Sequence, residues 1–561
     1  MRKILSILAV LLAAAGCSGN KAKLTTGVPE RVKPSKNVIL MISDGTSTSL
    51  LATARWYKRY MTGDLELPLA VDPYICGLVQ SRLSNSIIPD SAPAMSGYTT
   101  GVPSQQGNIS IYPEAQPNQD VVPVDASRTY QPAATVLEAA RVLKKKATGV
   151  VSTVVFPHAT PAATAAHGAR RNRYHDLGRQ MANQNLDVMF GGGNNILDDD
   201  MREAIRESGA TLLENDVEGF RSFDGDKLWA VFNEDYMEFE IDRDDSAEPS
   251  LSEMTAKAIG ILDKDPDGFF LMVEGSKVDY GAHSKDPVEA ITEFIEFDNA
   301  IKVAVDFAKK NGNTTVVVLT DHGNSGITLG DAHYRNYSAK GVDSMFVGIK
   351  DCRISSAKMT KTLQNCREDE IPALFKEKAG MDLKPYELAA IKSCMTRTEG
   401  NYMEVANSWN LQNVICGIFT RRTHIGFTSG NHTGEDVYLA VYNPRGEQPA
   451  GIITNTELND YICKELGFPS RQVLVELSDK LFVSHLQVFE GCELEVVPGD
   501  DYPTLFVRKD GRQLRIPAYH SECYFSETEG DERSVRTPCP AVYMQENGQF
   551  YLDKSLAELF K

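Results

Sequence analysis

The sequence predicts a three-layer α/β/α sandwich on a mostly parallel central sheet, with a helical, cysteine-containing insertion and a small β-rich C-terminal domain. Three observations carry this prediction. First, the apolar runs NVILMIS (from 37), GFFLMVEG (from 268) and TTVVVLT (from 314) have no polar face, as strands covered by helices on both sides should. Second, helix-like stretches alternate with such runs over residues 36–350, the rhythm of β-α-β units. Third, each of the three runs leads into acidic residues, delivering Asp44, Glu274 and the pair Asp321-His322. In open α/β sheets ligands gather at the carboxyl ends of the strands, so three distant stretches point acidic and imidazole groups at one edge.

Taken in order, the N-terminus MRKILSILAVLLAAAGCSGN has a basic start (Arg2, Lys3) and an apolar stretch too short to span a membrane, which reads as an export signal over residues 1–17. Its end, Ala14-Ala15-Gly16-Cys17, resembles a bacterial lipoprotein cleavage site. The expected protein is therefore exported, periplasmic or membrane-anchored through a lipid on Cys17, with an ordinary cleaved signal as the alternative. Residues 18–35 are polar and contain proline, as a tether would. A large α/β domain is expected over 36–455. Within it, LEAARVLKKKA (137–147) reads as a helix leading into the strand GVVSTV. SLSEMTAKAIGILDK reads as the helix before the Glu274 strand, and ITEFIEFDNAIKVAVDFAKK as the helix before the Asp321 strand. The pattern breaks over about 350–420, which is charged and helical and is read as an insertion over the ligand-bearing edge. It holds Cys352, Cys366, Cys394 and Cys416, which could staple it, although pairing is not legible from sequence. The α/β theme resumes from His424, with DVYLAVYNP as a strand. Short β-like runs dominate the expected C-terminal domain, 470–561, where Asp510-Gly511 and Asn547-Gly548 read as hairpin turns. A net charge of −18 argues against nucleic acid as a partner.

The chemistry-bearing residues fall into few places. Asp279 and His283 stand four apart, one turn of a helix, after the Glu274 strand. Ser91 follows Asp90 at an expected helix start, where the dipole and free N–H groups favour anions. Read alone, such a serine simply caps its helix; beside divalent cations it becomes a candidate nucleophile, because a metal can lower its pKa.

Asp44-Gly45, Asp90-Ser91-Ala92, His158-Ala159-Thr160-Pro161, Glu274-Gly275 through Asp279 to His283, Asp321-His322-Gly323 and Asn431-His432-Thr433-Gly434-Glu435-Asp436 occur in the order found in alkaline phosphatases, and the chain resembles that family from about residue 36 to 445. The resemblance implies one zinc held by Asp279, His283 and His432, and a second held by Asp44, Asp321 and His322. It implies a third ion, magnesium, on Asp44, Thr160 and Glu274. Imidazole-bearing sets suit zinc and an all-oxygen set suits magnesium. Asp44, Glu274, Asp279 and Asp321 carry −4 against +6 from three divalent ions, and the net +2 matches a phosphate dianion. Arg171, after His167-Gly168-Ala169-Arg170, takes the register of the family's phosphate-binding arginine, with Arg170 as its competitor. His158 stands where the bacterial archetype carries aspartate, which bears on the identity of the third ion, and Tyr280 stands where lysine or histidine is common. His167, His175, His333, His424, His485 and His520 read as structural or surface residues.

The implied activity is hydrolysis of small phosphomonoesters through a covalent phosphoserine at Ser91, with an alkaline optimum. The family is often dimeric, and a homodimer is the corresponding expectation. Two other readings stand beside it: a phosphodiesterase or sulfatase-like hydrolase on the same fold, and a surface lipoprotein that binds metal or phosphate without turnover.

Overall fold

The computed structural model describes residues 27–331, 341–528 and 530–561. The expected signal peptide, Cys17 and His333 lie outside the described residues. From Gly27 onward the expected tether is laid against the body: Gly27 bridges Ala450, Lys33 donates its N–H to Glu447 and Ser35 donates its own to Glu465 O. No helix among the described residues is long and apolar enough to cross a membrane.

A ten-stranded sheet forms the centre. Its first eight strands in chain order are β1 (Asn37–Ser43), β2 (Ile75–Gln80), β3 (Ala147–Val155), β4 (Val188–Gly192), β5 (Thr211–Glu214), β6 (Leu228–Val231), β7 (Phe269–Gly275) and β8 (Thr314–Leu319). Two later strands, Val437–Tyr442 and Gly451–Thr454, complete it. The spatial order is Gly451–Thr454, β2, Val437–Tyr442, β8, β1, β7, β3, β4, β6, β5. Every pairing is parallel except the two made by Val437–Tyr442, which runs against both β8 and β2.

Alternation along the strands splits the interior into two cores. Ile39, Met41, Leu271, Val273, Val316 and Val318 pack on one face, against the long helix Pro287–Asn311. Val38, Leu40, Ile42, Phe270, Met272, Val317 and Leu319 pack on the other, against helices that include the wholly buried Ser91–Thr100. β1, β7 and β8 are buried at every residue, as their unbroken apolar runs require. Each large side chain so enclosed contributes roughly 1.5–3 kcal/mol, which makes the sheet edge a stiff platform for polar groups.

The expected helices form at Val136–Lys144, Leu251–Leu262 and Pro287–Asn311. The insertion is a set of short helices around a small sheet, ending in Ser408–Thr423. That last helix lies against the helix Lys277–Ser284, with Gln412 donating to Ser284 Oγ at 3.3 Å. The nine described cysteines are all free thiols, so the expected staple does not form. Cys352 instead donates to Ile354 O and Cys416 to Ser356 Oγ.

The C-terminal region is β-rich, with a five-stranded antiparallel sheet spanning Glu493–Arg536 and a third core around Leu505, Val507, Leu514 and Ile516. Asp510-Gly511 forms a two-residue turn with both φ positive (51° and 82°), the geometry that such hairpins favour. Two stretches of the expected β-rich region are helical instead. Gln472–Leu481 is a helix because Leu474, Leu477 and Leu481 fall on one helical face and enter the main core, and His485–Val488 is a single helical turn.

Candidate active site

The carboxyl edge of β1, β7 and β8 carries the site. β1 stops at Ser43 and delivers Asp44, fully buried, whose N–H is held by Gly275 O on β7. Gly45 then turns the chain at φ 66°, and a Cβ there would overlap the Asp279 carboxylate, so only glycine fits. Gly45→Ala is expected to cost about 1–3 kcal/mol of backbone strain and to push Asp279 aside. A competition titration against a zinc-binding dye should show weakened metal affinity; unchanged affinity would mean that Asp279 is not a ligand.

Two groups of metal-competent side chains converge here, each with its ligand atoms within 4.8 Å of one another: Asp279, His283 and His432, and Asp44, Asp321 and His322. In the first group, one helical turn brings His283 Nε2 to 3.3 Å from Asp279 Oδ2. His432 arrives from the opposite direction, because it precedes the one reversed strand of the sheet, whose N-terminal end lies beside the carboxyl ends of its neighbours. His283 Nδ1 faces Gly430 O and His432 Nδ1 faces Pro89 O, both at 2.8 Å, and a carbonyl only accepts. Both Nδ1 protons are thereby committed, and the two Nε2 atoms meeting at 3.1 Å have at most one proton between them. A cation bound by both lone pairs resolves that opposition. The donor set and its outer hydrogen bonds fit zinc.

In the second group His322 Nε2 lies 3.4 Å from Asp44 Oδ1, 3.3 Å from Asp321 Oδ2 and 3.2 Å from Ser91 Oγ. Its Nδ1 faces Gly323 O. In a serine–histidine–aspartate triad the acid sits on Nδ1 and the serine on Nε2. Here serine and both carboxylates crowd onto Nε2, which is the arrangement of donors around a shared cation. Burial, together with the charges of Asp321, Asp279 and Glu274, raises the Asp44 carboxyl well above its ordinary range. Burial pushes Glu274 up to about 8. Buried carboxyls raised in this way suit cations as their counterweight.

The third expected set is compatible with an oxygen-bound ion. Among the described residues, no hydrogen-bond partner meets either buried carboxylate oxygen of Glu274 or the buried Thr160 hydroxyl, and the helix Ala159–Ala165 that carries Thr160 packs on β7. Buried polar atoms are rarely left so.

Ser91 opens the helix Ser91–Thr100, with its Oγ also 3.5 Å from Asp44 Oδ1. Asp90 does not cap this helix with its side chain; its carboxylate pairs with Arg171 instead. Arg171 Nη2 also lies 3.4 Å from His158 Nε2, and Tyr280 OH reaches the same nitrogen at 3.4 Å. Burial and the Arg171 charge hold His158 neutral, its pKa pressed down to about 3. Arg170 turns outward to Glu546, so of the two arginines only Arg171 faces the site. His167 is no ligand: it is buried against Glu138 Oε1 at 3.0 Å. His520 pairs with Asp200, and His424 lies 3.7 Å from Asp331.

Sequence reasoning missed Asp90 as the partner of Arg171, the tyrosines Tyr174 and Tyr236 whose rings flank His158, and Asn324. Asn324 Nδ2 donates to Asp279 Oδ1 at 2.7 Å, from a short strand paired with His432. Its place two residues after His322, the repeat of a strand face, was the available signal.

The family model for alkaline phosphatase matches residues 35–467. The chain belongs to the alkaline phosphatase family. It is 32% identical over 463 residues to alkaline phosphatase 3 of Bacillus subtilis (strain 168), covering 79% of this chain and 91% of that protein. To alkaline phosphatase 4 of the same organism it is 28% identical over 485 residues, covering 83% and 96%. Among solved structures, the alkaline phosphatase of Thermus thermophilus superposes with a TM-score of 0.67 at 23% identity, covering 82% of this chain and 99% of that one. The cold-active alkaline phosphatase of Shewanella sp. gives 0.66 at 23%, covering 77% and 99%. This family member is thus a metal-dependent phosphatase of the alkaline phosphatase fold, and most of its C-terminal region lies beyond the family match.

Proposed function

We propose that the chain hydrolyses small phosphomonoesters through a phosphoserine at Ser91, with zinc held by Asp279, His283 and His432, zinc held by Asp44, Asp321 and His322, and magnesium held by Asp44, Thr160 and Glu274. The observation that carries this reading is Ser91 Oγ, buried at a helix start and within 3.5 Å of both His322 Nε2 and Asp44 Oδ1. Bound cations would neutralise phosphoryl oxygens, lower the pKa of the hydroxyl and water they touch, and steady the leaving oxygen.

The chain's own groups supply the rest. Arg171 offers two parallel N–H donors to two phosphoryl oxygens, a planar match that lysine lacks. His158, kept neutral, accepts from Tyr280 and places no second positive charge beside Arg171, whose guanidinium Asp90 holds in place. Ser91, after losing its proton to solvent, attacks phosphorus in line; the Oγ–P bond forms, the bond to the leaving alkoxide breaks, and the alkoxide takes a proton from water. Water then adds to the phosphoserine from the opposite side, releasing inorganic phosphate and restoring the hydroxyl. Positioning and charge neutralisation do most of this work. The N-terminal segment and Cys17 support an exported, periplasmic or lipid-anchored enzyme.

The test is hydrolysis of an aryl phosphate, a bis-aryl phosphate and an aryl sulfate at pH about 9. Strong preference for the monoester is expected. Preference for the diester or the sulfate would move the assignment to those branches, and phosphate binding without turnover would make the chain a binding protein. Arg171→Lys should raise KM by about tenfold or more, while Arg170→Gln, which leaves the Arg171 side chain in place, should raise it less.

A further inference from the structure

We infer that Glu546, on a hairpin of the C-terminal region, is a positioning residue for the phosphate-binding arginine. Arg170 to Arg173 form a tight turn, closed by the Arg173 N–H donating to Arg170 O at 3.3 Å. Arg171 is the second residue of that turn, and its own N–H is held by Gly107 O at 2.8 Å. The first and last residues of the turn share one carboxylate. Glu546 Oε1 lies 3.3 Å from Arg170 Nε and 3.0 Å from Arg173 Nη2, and Glu546 Oε2 lies 3.4 Å from Arg173 Nη1. A single acid therefore bridges the turn from outside while Arg171 points inward to Asp90 and His158.

The bridge is built to hold position. The Glu546 side chain is only 14% exposed. It sits between the strands Val542–Met544 and Gln549–Leu552, and Val542 and Met544 are buried in the main core of the catalytic region. Gln545 reaches Asp176 on the helix that follows the turn. An arginine at an unbraced turn must lose backbone freedom each time it grips substrate; here that loss is met during folding. Glu546 lies outside the family match, which ends at residue 467. The appended region thus braces the site it does not form.

The inference rests on Arg171 as the phosphate ligand, and the experiment separates the two claims. Michaelis parameters for an aryl phosphate and inhibition by inorganic phosphate are measured on the full-length, metal-loaded enzyme. Glu546→Gln and Arg173→Gln should each raise KM and the phosphate inhibition constant together by about fivefold or more, with kcat within about twofold. Glu546→Asp should recover part of the loss. If Arg171→Ala weakens phosphate binding and Glu546→Gln does not, the brace is refuted while the Arg171 reading stands; if Arg171→Ala itself leaves phosphate inhibition unchanged, the Arg171 reading falls. A salt-sensitive fall in KM for Glu546→Gln would mean that the acid repels phosphate rather than positioning arginine, which overturns the inference. Parallel losses of kcat and thermal stability would mark a folding role alone and overturn it equally.

Discussion

Ser91→Ala is expected to lower turnover of an aryl phosphate by at least about a thousandfold, since deleting a catalytic nucleophile removes the entire covalent route. Fold and metal content should survive. The hydroxyl makes only long contacts, 3.2 Å to His322 and 3.5 Å to Asp44, and alanine suits the first turn of a helix whose neighbours are already Ala92 and Ala94. The decisive measurement pairs steady-state kinetics with acid-quench trapping of labelled phosphate on the protein. Wild type should carry a phosphate on the peptide containing Ser91 and the variant none. A variant that keeps near-normal turnover, or a label on another residue, would remove Ser91 from the mechanism.

Chelation should abolish activity and soften the protein as well. The two ligand groups are preformed, and a ligand present at a thousandfold excess over its dissociation constant stabilises the folded state by about 4 kcal/mol per site. Metal-free protein is accordingly expected to melt at lower temperature, with zinc restoring the midpoint and the activity together. His432→Ala, which removes one ligand of the first group only, should leave the zinc-induced shift partial. Calorimetry with and without chelator checks this independently of catalysis; an unchanged melting temperature would show that these clusters hold no tight metal.

Much of this was legible in the sequence for identifiable reasons. β1, β7 and β8 are uniformly apolar because both of their faces are covered, and the polar residue ending each run marks the edge of the sheet. Asp279 and His283 declared themselves by helical spacing. His432 did not: nothing in Asn431–Asp436 says that the following strand runs backwards, and only its likeness to a known motif placed it. The Asp90–Arg171 pair and the Glu546 bridge were beyond reach, because long-range ion pairs leave no periodic trace. The helix Gln472–Leu481 was submerged in a region whose later runs are strands, although its leucine spacing was helical.

The reversed strand also sets an order of assembly. The Asp279–His283 half of the first cluster is complete by the middle of the chain, but the third member, His432, lies 149 residues beyond His283. A chain emerging from the ribosome or across a membrane therefore carries an unfinished coordination sphere until the last sheet pairings with β8 and β2 become available. If the first group holds zinc as proposed, metal capture would report completion of the sheet, and shortened products that lack residue 432 would compete poorly for the ion.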